Sequence, residues 1–150
     1  MEAVLFTGVQ ATGKSTFYRS RFFRTHVRVS LDQLRTRNRE RKLVEFCLET
    51  GQPFVVDNTN PTRAERARYV GLCRDAGFRV EAYYFQSLIR DALARNRSRT
   101  GDERVPDAGV LGTYGRLELP AKAEGFDAMF YVRLRGADFE VEVWSDEARS

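Results

Sequence analysis

Histidine and cysteine are scarce in this sequence, which has one histidine and two cysteines among 150 residues. Cys47 and Cys73 fall in helix-like segments beside apolar residues, a setting that favours buried reduced thiols over a disulfide or a metal-binding pair. His26 stands at the start of a predicted strand, away from the strand ends where ligands gather. The chemistry of this chain is therefore expected to depend on other residue types.

Long apolar runs are also lacking, and no stretch approaches the roughly 18 residues that a membrane span needs. The first predicted strand begins at Ala3, which leaves no room for a signal peptide before it. Both features lead us to expect a cytoplasmic protein with no membrane partner. Hydrophobic residues make up 42% of the chain and aromatic residues 12%, which predicts one globular domain over residues 1–150 and leaves the oligomeric state open.

Lysine is rare in this sequence, and 22 of the 25 basic residues are arginine. The net charge of +4 and the pI of about 9.3 permit a nucleic-acid partner without requiring one. Arginine makes forked contacts to phosphate that lysine cannot make. The basic run 35–42 fits either a track for a nucleic-acid backbone or a solvated helix face, and both interpretations stay open.

One of the few lysines lies in the most informative stretch, AVLFTGVQATGKS at residues 3–15. Residues 3–7 form an apolar run without alternation, which predicts a strand buried on both faces. Residues 8–15 match the phosphate-loop pattern G-x-x-x-x-G-K-[ST] at every fixed position. Such a loop turns backbone N–H groups inward and holds phosphate. We predict that the chain binds ATP with Mg²⁺.

Each position of this loop has a predicted task. Lys14 places a charge at the β- and γ-phosphates, and the Ser15 hydroxyl is a ligand for Mg²⁺. The helix predicted from Lys14 to Arg24 points its positive end at the same phosphates. The predicted nucleotide contacts of the loop are Gly8, Gln10, Ala11, Thr12, Gly13, Lys14, Ser15 and Thr16.

Strands and helices alternate along the chain. Strands are predicted at 3–7, 26–30, 54–57, 79–85 and 128–134, and helices at 14–24, 33–50, 60–76, 87–97 and 106–118. This order implies right-handed βαβ units and a three-layer α/β fold, with a central parallel five-stranded sheet and helices on both faces. Residues 139–144 alternate cleanly and are able to fold back as an antiparallel edge strand. The helix at 60–76 is expected to use Asn60 as its N-cap and to bury Ala67, Val70 and Cys73.

Two aspartates directly follow predicted parallel strands, where ligands of such sheets bind. Asp57 has the position from which a carboxylate holds Mg²⁺ together with Ser15. Asp32 is able to accept the proton of an attacking hydroxyl, although capping a helix is an equally good interpretation. Arg35 shares the face of Asp32 if the helix has already begun.

A polar, charged segment at 98–104 predicts a mobile loop within a lid around residues 97–106. Arg97, Arg99 and Arg104 lie in or beside it. One of these arginines is able to move over the triphosphate and neutralise charge in the transition state. At least one of the three is expected to be simply solvated.

Several segments together resemble the kinase module of the 5′-hydroxyl polynucleotide kinases, over about residues 4–134. They are GVQATGKSTF, SLDQLR, VVDNTNPTRAERARYV, RNRSR and the later VP…EGFD. The D-x-x-R after the second strand and the DNTNP segment are more specific than the phosphate loop. The resemblance implies a P-loop NTPase-type fold and transfer of the γ-phosphate of ATP to the 5′-hydroxyl end of DNA or RNA.

The resemblance also implies roles for individual residues. Asp32 matches the general base, Arg35 the arginine that grips the phosphate next to the 5′-hydroxyl, and Lys14 with Ser15 the loop lysine and metal ligand. Asp57 matches the acidic residue of the DNTNP-like motif. Asp57 and Asn58 are both predicted to contact the substrate, with turn chemistry as the other interpretation of Asn58. Arg99 matches the lid arginine on the transferred phosphate, with Arg97 as the competing assignment. The sequence has no D-x-D motif of the phosphatase that is often fused to these kinases. A small-molecule kinase and a non-catalytic ATP-binding module remain alternatives.

Overall fold

The computed structural model describes residues 1–145. The strands are β1 (Glu2–Thr7), β2 (Val27–Val29), β3 (Phe54–Val56), β4 (Arg79–Phe85), β5 (Ala128–Arg135) and β6 (Asp138–Val143). The helices are α1 (Lys14–Arg21), α2 (Leu31–Leu34), α3 (Arg37–Thr50), α4 (Arg63–Asp75), α5 (Ile89–Ser98) and α6 (Asp107–Arg116). Short 3₁₀ turns occupy Gly101–Glu103 and Lys122–Glu124.

All six strands form one sheet in the order β2-β3-β1-β4-β5-β6. β1 is paired in parallel with β3 on one side and with β4 on the other. β2 and β5 extend the parallel sheet, and β6 pairs antiparallel with β5. The predicted α/β fold is confirmed, including the five parallel strands and the antiparallel edge strand.

Helices cover both faces of the sheet, because successive residues of the central strands alternate between two apolar cores. Ala3 and Leu5 of β1 pack with α3 and α4 on one face. Val4 and Phe6 pack with Phe17 of α1 on the other face. These central strands are buried on both sides, which explains why their sequences show no polar alternation.

The helix predicted over 33–50 is divided in two in the structure. α2 ends at Leu34, and Arg35 then adopts a positive φ of 76°. Thr36 starts α3 as its N-cap, where its hydroxyl accepts a hydrogen bond from the backbone N–H of Arg39. Arg35 therefore lies outside both helices, and the expectation that it shares a helical face with Asp32 is wrong.

The start of α4 also differs from the expectation. Thr62 is the N-cap and forms a capping box with Glu65, whereas Asn60 lies outside the helix with a φ of 42°. Val70 and Cys73 face the core as predicted, but Ala67 is exposed. Fully buried Arg66 lies on that side of the helix instead.

Arg66 can be buried because hydrogen-bond acceptors surround its guanidinium group. It makes a two-point contact with Glu124 at 2.8 and 3.1 Å and donates to the carbonyl groups of Asn60 and Pro61. This pairing joins α4 to the segment after α6.

Cys47 and Cys73 are buried free thiols, as predicted. Burial raises the pKa of Cys47 to about 11 and that of Cys73 to about 12, so both stay protonated. No helix in the described part of the chain is long and apolar enough to cross a membrane.

Candidate functional site

The phosphate loop joins the carboxyl end of β1 to α1. Ala11 and Gly13 adopt left-handed φ values of 63° and 95°. A Cβ on Gly13 would lie 2.8 Å from the ring of Phe139, and a Cβ on Gly8 would lie 3.0 Å from Phe85. A side chain at either position would come too close to its neighbour, so steric contacts as well as the loop pattern favour glycine there.

The first turn of α1 is open to an anion. Gly13 is the N-cap and contributes no side-chain hydrogen bond to the helix. The N–H groups of this turn therefore keep their donor capacity, and the helix dipole adds a positive potential. This geometry fits the phosphates of a nucleotide.

Lys14 lies inside the loop, with 9% of its surface exposed. Its Nζ donates to the carbonyl oxygens of Gly8 at 2.9 Å and Val9 at 2.7 Å. Burial lowers the pKa of Lys14 to about 8, while Asp57 and Asp32 raise it and Arg99 lowers it.

The other predicted loop contacts divide into structural and accessible side chains. Thr12 donates its hydroxyl hydrogen bond to the Val9 carbonyl at 2.9 Å, and Gln10 donates to the Thr113 hydroxyl of α6 at 3.1 Å. Thr16 is exposed beside Ser15 at the start of α1. Thr12 and Gln10 thus shape the loop, and the Thr16 side chain is exposed to solvent.

Ser15 and Asp57, the predicted metal ligands, lie together. The Ser15 hydroxyl donates to Asp57 Oδ2 at 3.0 Å. Two oxygen ligands at neighbouring corners of a Mg²⁺ octahedron are about 2.9 Å apart, given Mg–O distances near 2.0–2.1 Å. These two residues fit Mg²⁺. No group of three or more His, Cys, Asp or Glu side chains within residues 1–145 is arranged to hold a metal.

Arg28 is a site residue that the sequence analysis missed. Its Nε donates to Asp57 Oδ2 at 2.8 Å and its Nη2 donates to the Ser15 hydroxyl at 2.9 Å. The alternation of Val27, Arg28 and Val29 is the signal that could have found it. It places the arginine on the face opposite buried Val29, which is the face that carries α1.

Asp32 is exposed in the first turn of α2. Arg35, which directly follows α2 as its C-cap, is exposed as well. Both predicted acceptor-binding residues are accessible at the carboxyl edge of the sheet.

Asn58 lies behind α2 and uses both ends of its amide within the chain. Its Oδ1 accepts from the backbone N–H of Leu31 at 2.9 Å, and its Nδ2 donates to Glu40 at 2.7 Å. Asn58 thus helps to place α2, and its role in substrate binding stays a prediction.

Glu40 anchors this arrangement and was not predicted. It is 5% exposed. It accepts hydrogen bonds from Tyr69 at 2.7 Å and Arg37 at 3.0 Å. Its spacing to Val44 and Cys47 places a carboxylate in the buried stripe of α3, which is the signal that sequence reasoning overlooked.

The segment after Asp57 is also joined to the phosphate loop. The Thr59 carbonyl accepts from the Gly8 N–H at 3.0 Å, and the Asn60 amide donates to the Phe6 carbonyl at 2.9 Å. The DNTN residues therefore fix the loop relative to both aspartates.

The lid arginines differ in their surroundings. Arg99 lies near enough to lower the pKa of Lys14, and it donates to the Glu103 carbonyl at 3.2 Å. Arg97 is 59% exposed and pairs with Asp107 at 3.0 Å. Arg95, which was not predicted, donates to the Ala11 carbonyl of the loop at 3.2 Å. The assignment of Arg99 to the transferred phosphate stays a prediction.

The chain is similar in sequence to a curated protein of stated activity. The chain is 26% identical over 131 residues to a bifunctional polynucleotide phosphatase/kinase of Schizosaccharomyces pombe. The match covers 83% of this chain and 32% of that protein, so the chain spans about a third of its relative's length.

Solved structures with little sequence identity share the fold. The PezAT toxin–antitoxin system of Streptococcus pneumoniae gives a TM-score of 0.67 at 13% identity, over 99% of this chain and 73% of that one. Chaetomium thermophilum Kti12 in complex with ADP-AlF3 gives 0.62 at 15% identity, over 87% and 88% of the two chains. Both likenesses support the P-loop NTPase-type fold.

A family model described as AAA domain, AAA_33, matches residues 4–120. The match begins at β1, contains the phosphate loop, both aspartates and the lid, and ends after α6. The match therefore contains every site residue described above except Phe139, which packs against Gly13 from outside the matched range. The chain belongs to the AAA_33 family of AAA domains.

Proposed function

We propose that this chain is an ATP-dependent kinase that transfers the γ-phosphoryl group to the 5′-hydroxyl end of DNA or RNA. The observation that carries the proposal is the position of Asp32, which is exposed in the first turn of α2 after β2, at the edge of the sheet that also carries a complete phosphate loop. The similarity to the polynucleotide phosphatase/kinase of S. pombe supports this acceptor. The proposal concerns the kinase reaction alone.

The donor side of the reaction is assigned to the loop and α1. Backbone N–H groups of the loop and the open first turn of α1 would bind the phosphates of ATP. Lys14 would turn from the carbonyls of Gly8 and Val9 toward the β- and γ-phosphates. Ser15 and Asp57 would hold Mg²⁺, which supplies positive charge to the phosphate oxygens.

The acceptor side is assigned to α2 and its end. The Asp32 carboxylate takes the proton of the 5′-hydroxyl as that oxygen bonds to the γ-phosphorus and the bond to the β-phosphate oxygen breaks. Arg35 binds the phosphate that follows the 5′ nucleoside. Arg99 neutralises charge on the transferred group from the lid.

The test is transfer of labelled γ-phosphate from ATP to 5′-hydroxyl DNA and RNA strands in the presence of Mg²⁺. We expect Asp32→Asn to lower kcat by about 10²- to 10⁴-fold, the range for loss of a general base, with ATP binding retained. Asp75→Asn is the matched control, because Asp75 is exposed at the end of α4. Arg99→Ala should lower kcat far more than Arg97→Ala.

Other outcomes would assign another function. Transfer to free nucleosides or sugars with oligonucleotides inert would indicate a small-molecule kinase. Stabilisation by ATP without transfer to any hydroxyl would indicate an ATP-binding module. Unchanged transfer by Asp32→Asn would refute the role of Asp32 whatever the acceptor.

A further inference from the structure

The guanidinium of Arg28 lies where the predicted metal ligands converge. Arg28 Nε, Arg28 Nη2, Ser15 Oγ and Asp57 Oδ2 form a closed set of hydrogen bonds, with lengths of 2.8, 2.9 and 3.0 Å. The Asp57 side chain is 2% exposed and that of Arg28 27% exposed. A cation supplied by the chain itself thus occupies the pair of oxygens that would ligate Mg²⁺.

The hydrogen-bonding capacity of these oxygens is limited. Oδ2 of a carboxylate has two in-plane lone-pair directions, and here the Ser15 O–H and the Arg28 Nε–H are both directed at it. Ser15 Oγ in turn accepts from Arg28. For Oδ2 and Oγ to become metal ligands, Arg28 has to give up at least one of these contacts.

The charge balance points the same way. Asp57 is a buried carboxylate whose charge is already compensated by Arg28, and a buried charge is stable only with such a partner. A divalent cation that arrives alone gains one carboxylate and one hydroxyl and has to displace a well-placed guanidinium. A cation that arrives with a triphosphate also gains phosphate oxygens, the ligands that Mg²⁺ prefers in such sites.

We propose that Arg28 is a positioning residue, the resident counter-ion of Asp57, which keeps the Ser15–Asp57 pair closed to divalent cations until a nucleotide brings the cation in. The inference rests on the proposed use of this pair as a metal site. It requires no particular acceptor and no transfer.

The experiment measures binding of Mn²⁺, a spectroscopic substitute for Mg²⁺, to the full chain by electron paramagnetic resonance, with and without a non-hydrolysable ATP analogue. We expect the wild-type chain to bind Mn²⁺ weakly without nucleotide. Arg28→Gln should bind it at least tenfold more tightly, because the competing charge is gone. Arg28→Lys keeps the charge and should stay near the wild type. Arg79→Gln, at the opposite end of the sheet, is the control.

Two results would overturn the proposal. One is tight Mn²⁺ binding by the wild-type chain in the absence of nucleotide, which needs no variant and holds even if Arg28→Gln fails to fold. The other is weaker or equal Mn²⁺ binding by folded Arg28→Gln, which would make Arg28 only a support for the two ligands. Because neither measurement involves an acceptor, failure of the kinase assay leaves this result interpretable.

Discussion

Lys14 illustrates how strongly a single site residue depends on its surroundings. An exposed lysine has a pKa of 10.5, and burial brings that of Lys14 to about 8. Between these values the unfolded chain binds more protons than the folded chain. The contribution of Lys14 to the free energy of unfolding therefore rises with pH across this interval. A bound triphosphate would reverse the shift, because it favours the charged form.

Nucleotide binding is consequently expected to take up protons. At pH 8 about half of Lys14 is neutral in the free chain, so ATP binding should take up about half a proton there and more at pH 9. Calorimetry in two buffers of different ionisation enthalpy measures this uptake. Lys14→Arg, which stays charged over this pH range, should show none. Equal uptake by both proteins would show that another group titrates.

At the residue scale, the sequence predicted the loop and both aspartates, because these positions follow from a fixed pattern and from the ends of strands. It did not predict Arg28 or Glu40. A charged residue in a short strand or on a helix ordinarily faces solvent, and only the packed neighbours show that these two are bound within the site.

α2 is the element that places the proposed base, and it is too short to be stable by itself. It spans four residues, and an isolated helix of that length does not form in water. The N–H of Leu31 in its first turn donates a hydrogen bond to the Asn58 side chain, and the Asn58 amide in turn donates to Glu40. The position of Asp32 is therefore fixed by β3 and α3.

Asn58→Ala should disturb this support. It leaves a backbone N–H and a buried carboxylate each without one partner, so we expect the free energy of unfolding to fall by about 1–3 kcal/mol. Because α2 loosens, kcat should fall while ATP affinity stays near the wild-type value. Urea denaturation and transfer kinetics measure the two effects. Asn38→Ala is the control, since Asn38 is exposed and pairs only with Arg41 among described residues. Equal behaviour of the two variants would contradict the role given to Asn58.

Element boundaries were harder to predict than element types. Asn60-Pro61 has the composition of a helix start, yet Thr62-x-x-Glu65 is the sequence signature that the structure uses. The break at Arg35 has no comparable signal, because arginine rarely adopts positive φ and the segment 32–42 contains neither glycine nor proline.

For the whole molecule, the alternation of strands and helices predicted a parallel sheet. The alternating apolar and polar residues at 139–144 predicted its antiparallel edge strand. The order of the strands could not be read from the sequence, because it depends on which apolar faces pack together. That order has a consequence for the site. It brings β6 and its Phe139 against α1 and the phosphate loop, where Phe139 packs on Phe17 with ring centroids 5.1 Å apart.

Phe139→Ala should therefore affect both stability and nucleotide binding. Loss of a large, partly buried aromatic side chain is expected to lower the free energy of unfolding by about 3 kcal/mol. It should also weaken ATP binding, because Gly13 loses its support. Chemical denaturation and calorimetry measure these effects. Val143→Ala on the same strand should change neither, since Val143 is 74% exposed. Unaltered ATP affinity in Phe139→Ala would show that the loop keeps its shape without β6.

The contact between Gly13 and Phe139 also bears on how the protein is made. β1 has only later strands as partners, and the nucleotide-binding turn beyond it is supported by residues near the other end of the described chain. On the ribosome, the turn would emerge before β4 and β6, so its surroundings could form only after residue 139 has been synthesised. Nucleotide affinity would then be acquired only after β6 has been synthesised and has paired with β5.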